Sequence, residues 1–267
     1  MILTSAHQLS LILSILAAAA YGWPAVRTAH VNAKAARLWV GAAWVMHGAV
    51  LAITLLGEHP HFGFAPAMSV TAWLVAAIYA VESQIFPQLP TRWTLGVVGA
   101  VAVLAAFFFP GGPMPVASSA WLAVHLAFGV ACYGLFGIAV VHAWFMTRAE
   151  TRIRHAQDPH SGLPLLTLER LTYRFVGAGF VLLSATLLAG LVFGETLYGY
   201  GHAWHWDHKT VFSTLAWFTF AVLLIGRSAF GWRGKRAVNV LYLGSALLLL
   251  AYVGSRFVME VILGRTA

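Results

Sequence analysis

Charge is what this chain has least of. Only 9% of its 267 residues are Asp, Glu, Lys or Arg, where a water-soluble globule carries about a quarter, so a soluble fold is excluded. Cysteine is nearly absent too. The single Cys132 rules out an internal disulfide and a C-x-x-C redox pair, and within an apolar run it reads as a small core residue. No serine stands in a nucleophile context beside the histidines and Asp207, which sets a serine-hydrolase triad aside.

What fills the chain instead is hydrocarbon, at 60% hydrophobic residues and a mean hydropathy of +0.80. Apolar runs of roughly 17 to 25 residues match a bilayer core of about 30 Å at about 1.5 Å per residue. Eight such runs occur, at about 7–26, 38–57, 65–86, 93–109, 118–146, 172–194, 210–226 and 237–263. The expected fold is therefore all-α, one integral membrane domain over 1–267 built as a bundle of eight transmembrane helices. The first run is expected to be a retained helix, because no Lys or Arg precedes it and Arg27, Lys34 and Arg37 follow.

The distribution of positive charge predicts the orientation. Connections near 27–37, 83–92, 147–174 and 227–236 hold thirteen of the sixteen Lys and Arg. Those connections are expected in the cytoplasm, with both termini on the outer face of a bacterial inner (plasma) membrane. The net charge of +8 then follows from topology and contact with anionic lipid headgroups, and nucleic acid is not implied.

The most informative stretch is Gly194 to Phe212, which crowds Tyr198, Tyr200, Trp204 and Trp206 with His202, His205, Asp207, His208 and Lys209. On this topology it is an outer loop. Flat rings there suit a planar ligand and imidazoles suit a metal, while Asp207 is placed to cap the next helix. Two histidines lie inside helices below it. His47 falls near the bilayer midplane, where a polar ring needs a partner: a neighbouring helix or a metal. His125 comes about 10 Å below the outer surface, and Trp121, His125 and Gly129 share one helix face at i, i+4 and i+8, with Tyr133 a further turn along. Glycine beside an imidazole leaves room for a flat ring. Arg256, deep into an outward-running helix, is either a snorkelling anchor or the partner of an anionic group. His142 reads as interfacial, and Glu82 as a cap or a snorkelling group.

His47, His125 and Arg256 agree in depth with an edge-on porphyrin, its iron between the histidines and its propionates toward the arginine. The sequence also resembles a known family at these residues. Tyr200-Gly201-His202-Ala203-Trp204-His205-Trp206-Asp207-His208-Lys209 is similar to the tryptophan-rich signature of the cytochrome c assembly superfamily of haem-handling membrane proteins. Trp121 to His125, Leu171 to Gly179, Gly231 to Ala237 and the closing Gly254-Ser255-Arg256 extend the likeness, most closely to the HemX-like/YpjD-like branch. Tyr200 stands where that signature has its first Trp, His208 where Pro is frequent, and Thr210 where Glu is expected.

The resemblance implies haem b bound at the outer face, His125 as an axial ligand, and a platform of Trp204, Trp206 and Asp207 beside Tyr200. His47 is the candidate second ligand. Haem, membrane lipid, and cytochrome c assembly proteins or haem-pathway enzymes are the implied partners. Synthases of the superfamily carry a further outer-face histidine beyond the signature, and these 267 residues do not, so haem handling is expected in place of a bond-making reaction. Two other readings stay open: a membrane-anchored b-type cytochrome, and a cofactor-free transporter or regulatory subunit.

Overall fold

The computed structural model describes residues 2–26, 33–58, 60–85, 93–113, 120–154, 165–192 and 207–264. It is built of helices α1 (Ile2–Val26), α2 (Ala33–Leu56), α3 (Phe64–Ile85), α4 (Trp93–Phe108), α5 (Ala120–Arg154), α6 (Leu165–Val192), α7 (His208–Phe230) and α8 (Gly234–Leu249). All eight expected helices are present. The last runs on through a π turn (Leu250–Gly254), a short α segment (Ser255–Phe257) and a second π turn (Val258–Ile262). A backbone in hydrocarbon must satisfy its own polar groups, and helices do so within one segment.

Six of these helices are long and apolar enough to cross a membrane, the last counted together with its π turns. The other two, α1 and α4, carry shorter apolar stretches at His7–Trp23 and Leu95–Phe108. The amphipathic ends lie further out than the hydropathy suggested. Helix α5 continues to Arg154 and α6 begins at Leu165, because chain leaving a bilayer with charged residues at helical spacing needs no break at the headgroups.

The chain forms two compact units, Met1–Met114 with Arg256–Ala267, and Pro115–Ser255. In the first, α1 packs on α2 and α4, and α3 completes the ring by touching both. One layer crosses all four helices. The ring of Tyr21 (α1) lies against Gly99 (α4), where an added Cβ would sit 3.0 Å from it, and its hydroxyl is 3.4 Å from His47 Nδ1 (α2). His47 Nε2 is in turn 2.7 Å from Ser69 Oγ (α3).

At one end of this unit, strands β1 (His61–Phe62) and β2 (Gly112–Pro113) pair antiparallel. They close on Gly111, whose φ of 81° is open to glycine at little cost. Glu260, from the second π turn, places its carboxylate against Gly63, accepts from the Phe64 backbone N–H at the start of α3, and acts on Arg256 one turn back. Phe257 stacks edge-on against Phe64 at 5.2 Å.

The second unit repeats the ring with α5, α6, α7 and α8, and its central layer is apolar. Phe136 (α5) and Phe220 (α7) stack with centroids 3.8 Å apart and planes 6° from parallel. Gly179 of α6 lies against the Phe136 ring and Gly244 of α8 against Phe220, both too close for a Cβ to fit without displacement. Lipid offers no hydrophobic drive for helix association, so such contact of small residues with flat rings supplies the van der Waals energy that holds helices together.

Candidate functional site

At the end of the second unit where α5 begins, His125 is 8% exposed. Its ring bonds to the backbone of Thr186 on α6, and its Cε1 lies 3.7 Å from where a Cβ would stand on Gly190. The Lys209 ammonium, in the first turn of α7, is near enough to act on the ring electrostatically. Three helices thus converge on one imidazole. Gly129, one turn along α5, meets only the Thr186 methyl at 3.9 Å, so the protein leaves ordinary contact space beside it. An imidazole oriented by a backbone bond is the usual state of a metal-ligating histidine.

The aromatic loop joins α6 to α7, so its two stems frame this same end. On the α7 side Asp207 is the N-cap, with φ −83° and ψ 171°, and its Oδ1 accepts the Thr210 N–H at 2.8 Å. The expected cap is therefore present, worth about 1 kcal/mol to the helix. Tyr200, Trp204 and Trp206, with His202 and His205, lie outside the described residues, as does the side chain of Trp121 on the first turn of α5.

His47 belongs to the first unit and His125 to the second. His47 is completely buried and edge-on to Tyr21, ring centroids 5.9 Å apart at 87°. Both of its nitrogens have hydroxyl neighbours, which realises the helix-to-helix reading of this residue. Serving a metal as well requires one of those contacts to give way. One turn earlier on α2, Trp44 stacks with Trp73 of α3 at 4.6 Å, and the two exchange indole N–H bonds to each other's carbonyls at 3.1 and 2.9 Å. That lock needs Gly48, whose Cβ would meet the Trp73 indole at 3.1 Å. Arg256 lies with His47 in the first unit and has the Glu260 carboxylate as a local anion.

Two expectations are corrected. His142 is not interfacial: it is fully buried with its ring edge-on to Phe175 at 5.5 Å. Glu82 is not a snorkelling group but is buried, at 5% exposure. Helix α5 extends past its apolar run to Arg154, and Glu82 stands one turn inside the end of α3 at Ile85, so both residues lie within packed helix.

Sequence reasoning passed over Ser69, Thr186 and Glu260, and it read Glu169 as part of a solvated connection over 147–174, where the structure instead buries it in α6. Glu169 (α6) meets Arg227 at 2.6 Å and Arg233 at 3.4 Å. Arg227 also lies over the Tyr173 ring at 4.8 Å, and Tyr173 donates to the Trp232 carbonyl at 3.2 Å. An acid at i with a tyrosine at i+4 on an arginine-rich helix was the available signal. Among the described residues no group of three or more His, Cys, Asp or Glu could hold a metal ion.

The profile of the cytochrome c assembly protein family matches residues 10–263. An uncharacterised 28.8 kDa protein encoded in a nifR3-like 5′ region of Azospirillum brasilense is 27% identical over 97% of this chain and 98% of its own length. The inner membrane protein YpjD of Escherichia coli K12 is 32% identical over 52% of each chain. The cytochrome c biogenesis protein CcsA of Gloeobacter violaceus is 34% identical over 35% of this chain and 27% of its own length. The chain thus matches about half of YpjD and about a quarter of that CcsA. No solved structure matches. The expected placement, a multi-pass protein of the inner membrane, agrees with the name YpjD carries and with the six spanning helices.

Proposed function

The chain belongs to the cytochrome c assembly protein family, and from that premise we propose that it binds haem and handles or presents it at the outer face of the membrane, for cytochrome c assembly or haem homeostasis. The observation that carries this reading is the setting of His125: fixed by the Thr186 backbone, with Gly129 one turn along and Lys209 acting on the ring, and framed by the stems of the aromatic loop. In this reading His125 and His47 would each offer haem iron a nitrogen ligand, with Trp121 and Gly129 beside His125. Tyr200, Trp204 and Trp206 form the platform, held at its α7 end by Asp207. Arg256 offers a guanidinium suited to paired carboxylates.

The haem is type b, held without thioether bonds, since the lone Cys132 is buried. When bound it supplies a redox-active iron. The residues of this chain orient it and shield it from water. The orientation retained is eight spans with both termini outside, supported by the thirteen cations of the inner connections. Haem reaches or leaves the site in company with cytochrome c assembly proteins or haem-pathway enzymes.

The test is an absorption spectrum of the detergent-purified full chain, oxidised and reduced, with a pyridine haemochrome assay and titration with hemin. A Soret band with low-spin α and β features is expected, and His125→Ala should lower haem retention about 10-fold or more while the protein remains inserted. Undiminished haem with an unchanged spectrum in that variant removes His125 from the site. No haem as isolated and none taken up from hemin overturns the reading as a whole.

A further inference from the structure

At the end of the second unit where α7 turns into α8, positive charge exceeds its partners. Glu169 of α6 takes Arg227 of α7 at 2.6 Å and Arg233, the residue before α8, at 3.4 Å through Nε, so one carboxylate serves two guanidiniums. Lys235 and Arg236 are exposed and, among the described residues, meet no carboxylate, and the first turn of α8 holds no acid. Rings fix these cations. Arg227 lies over Tyr173 at 4.8 Å and Arg236 over Trp232 at 4.7 Å. Trp232 is itself locked: its ring packs on Gly226 with no room there for a Cβ, its N–H donates to the Gly226 carbonyl at 3.0 Å, and its carbonyl accepts from Tyr173 at 3.2 Å. Diffuse attraction to a charged surface requires no such anchoring.

We propose that Arg233 and Arg236, framed on Trp232, hold the phosphodiester of one anionic phospholipid, with Arg233 exchanging Glu169 for the phosphate. The Arg233 side chain is 63% exposed and engages Glu169 through Nε alone, and a guanidinium fork matches two phosphate oxygens. Arg227, 27% exposed and closer, keeps the carboxylate. The surplus of positive charge selects a headgroup of net negative charge, because the ammonium or choline of a zwitterionic lipid would lie among Arg233, Lys235 and Arg236. Helix α7 leads to this turn with an exposed apolar face of Phe218, Val222 and Ile225 and ends at the exposed Phe230. A ligand at this level therefore has hydrocarbon beside its phosphate, which a lipid supplies and a soluble phosphate does not. The inference is independent of the haem reading.

The experiment titrates the purified full chain in detergent with phosphatidylglycerol, phosphatidylcholine or glycerol 3-phosphate, counting bound molecules by native mass spectrometry. One phosphatidylglycerol should bind at least about 5-fold tighter than phosphatidylcholine, and glycerol 3-phosphate should not displace it. Arg233→Gln and Arg236→Gln should each weaken that binding by roughly 10-fold. Arg233→Lys keeps the charge and loses the fork, and should weaken it by about 3-fold. Glu169→Gln removes the competing carboxylate and should tighten it by about 3-fold, where a role in folding alone would lower it. Arg148→Gln is the control, a cation over Trp144 on α5 at 4.2 Å and outside the cluster, and should leave binding unchanged. Equal losses in Arg148→Gln and Arg236→Gln, or no loss in Arg233→Lys, would show general surface charge and overturn the proposal. So would equal binding of the two lipids, or glycerol 3-phosphate binding as tightly as phosphatidylglycerol, which assigns the site to a soluble phosphate. Should Arg233→Gln fail to fold, the exposed Arg236→Gln carries the same test.

Discussion

At the scale of single residues, the most consequential polar group outside the histidines is Glu169. It is 8% exposed and holds Arg227 and, more loosely, Arg233, so its loss leaves Arg227 in a half-buried setting with no counter-charge. Glu169→Ala should destabilise the protein by about 3 kcal/mol, read as a lowered midpoint in thermal or denaturant unfolding in detergent. Glu169→Gln, which retains an acceptor for Arg227, should cost less. Gly48→Ala tests the indole lock in the same way. Its Cβ would press on Trp73, and forced overpacking of this kind costs about 1 to 3 kcal/mol. These residues show the limit of reading single positions. The Asp207 cap was legible because it rests on local rules of helix ends. Ser69 and Glu169 acquire meaning only from a partner 22 or 58 positions away in sequence, and no periodicity announces such a pairing.

The helix that departs most from expectation is the last. Hydropathy reads it as one uniform span, but two π turns interrupt it around Ser255–Phe257. The cause lies on α5. The Tyr133 hydroxyl donates to the Leu248 carbonyl, an acceptor that would otherwise serve the α ladder, and a side chain inserted there is a recognised origin of such a turn. The backbone then widens to i→i−5 bonds, such as Leu263 N–H to the Val258 carbonyl at 2.9 Å. Tyr133→Phe should relax the first π turn toward α geometry. Hydrogen exchange is the check: amides of 250–254 should change protection while those of α6 do not, and an unaltered pattern would assign the turn to the local sequence instead. Connections behave differently from helices. The turn after α7 was plain in the sequence, since Gly231 and Gly234 adopt φ of 63° and 61°, values that favour glycine.

For the molecule as a whole, composition alone fixed the class: an apolar chain with eight helical runs could only be a helical membrane protein. Its division into two four-helix rings was not legible, because lipid-facing and ring-facing residues are equally apolar and only contact geometry separates them. The orientation gives a direct prediction. Alkaline phosphatase fused after Gly264 should be active, and a green fluorescent protein there should stay dark, if the C-terminal end faces outward. The reverse pattern would turn the molecule over and move the His125 end to the cytoplasm.

The last helix also belongs to both rings: its first part completes the second, while Arg256 onward joins the first, through Glu260 on the Phe64 N–H and Phe257 on the Phe64 ring. A ribosome delivers those residues only after α5 to α8, so helices α1 to α4 wait in the bilayer without that brace until α8 has been made. Helices made early are thereby among the last to mature, and a chain halted before Arg256 leaves the start of α3 without its Glu260 and Phe257 contacts.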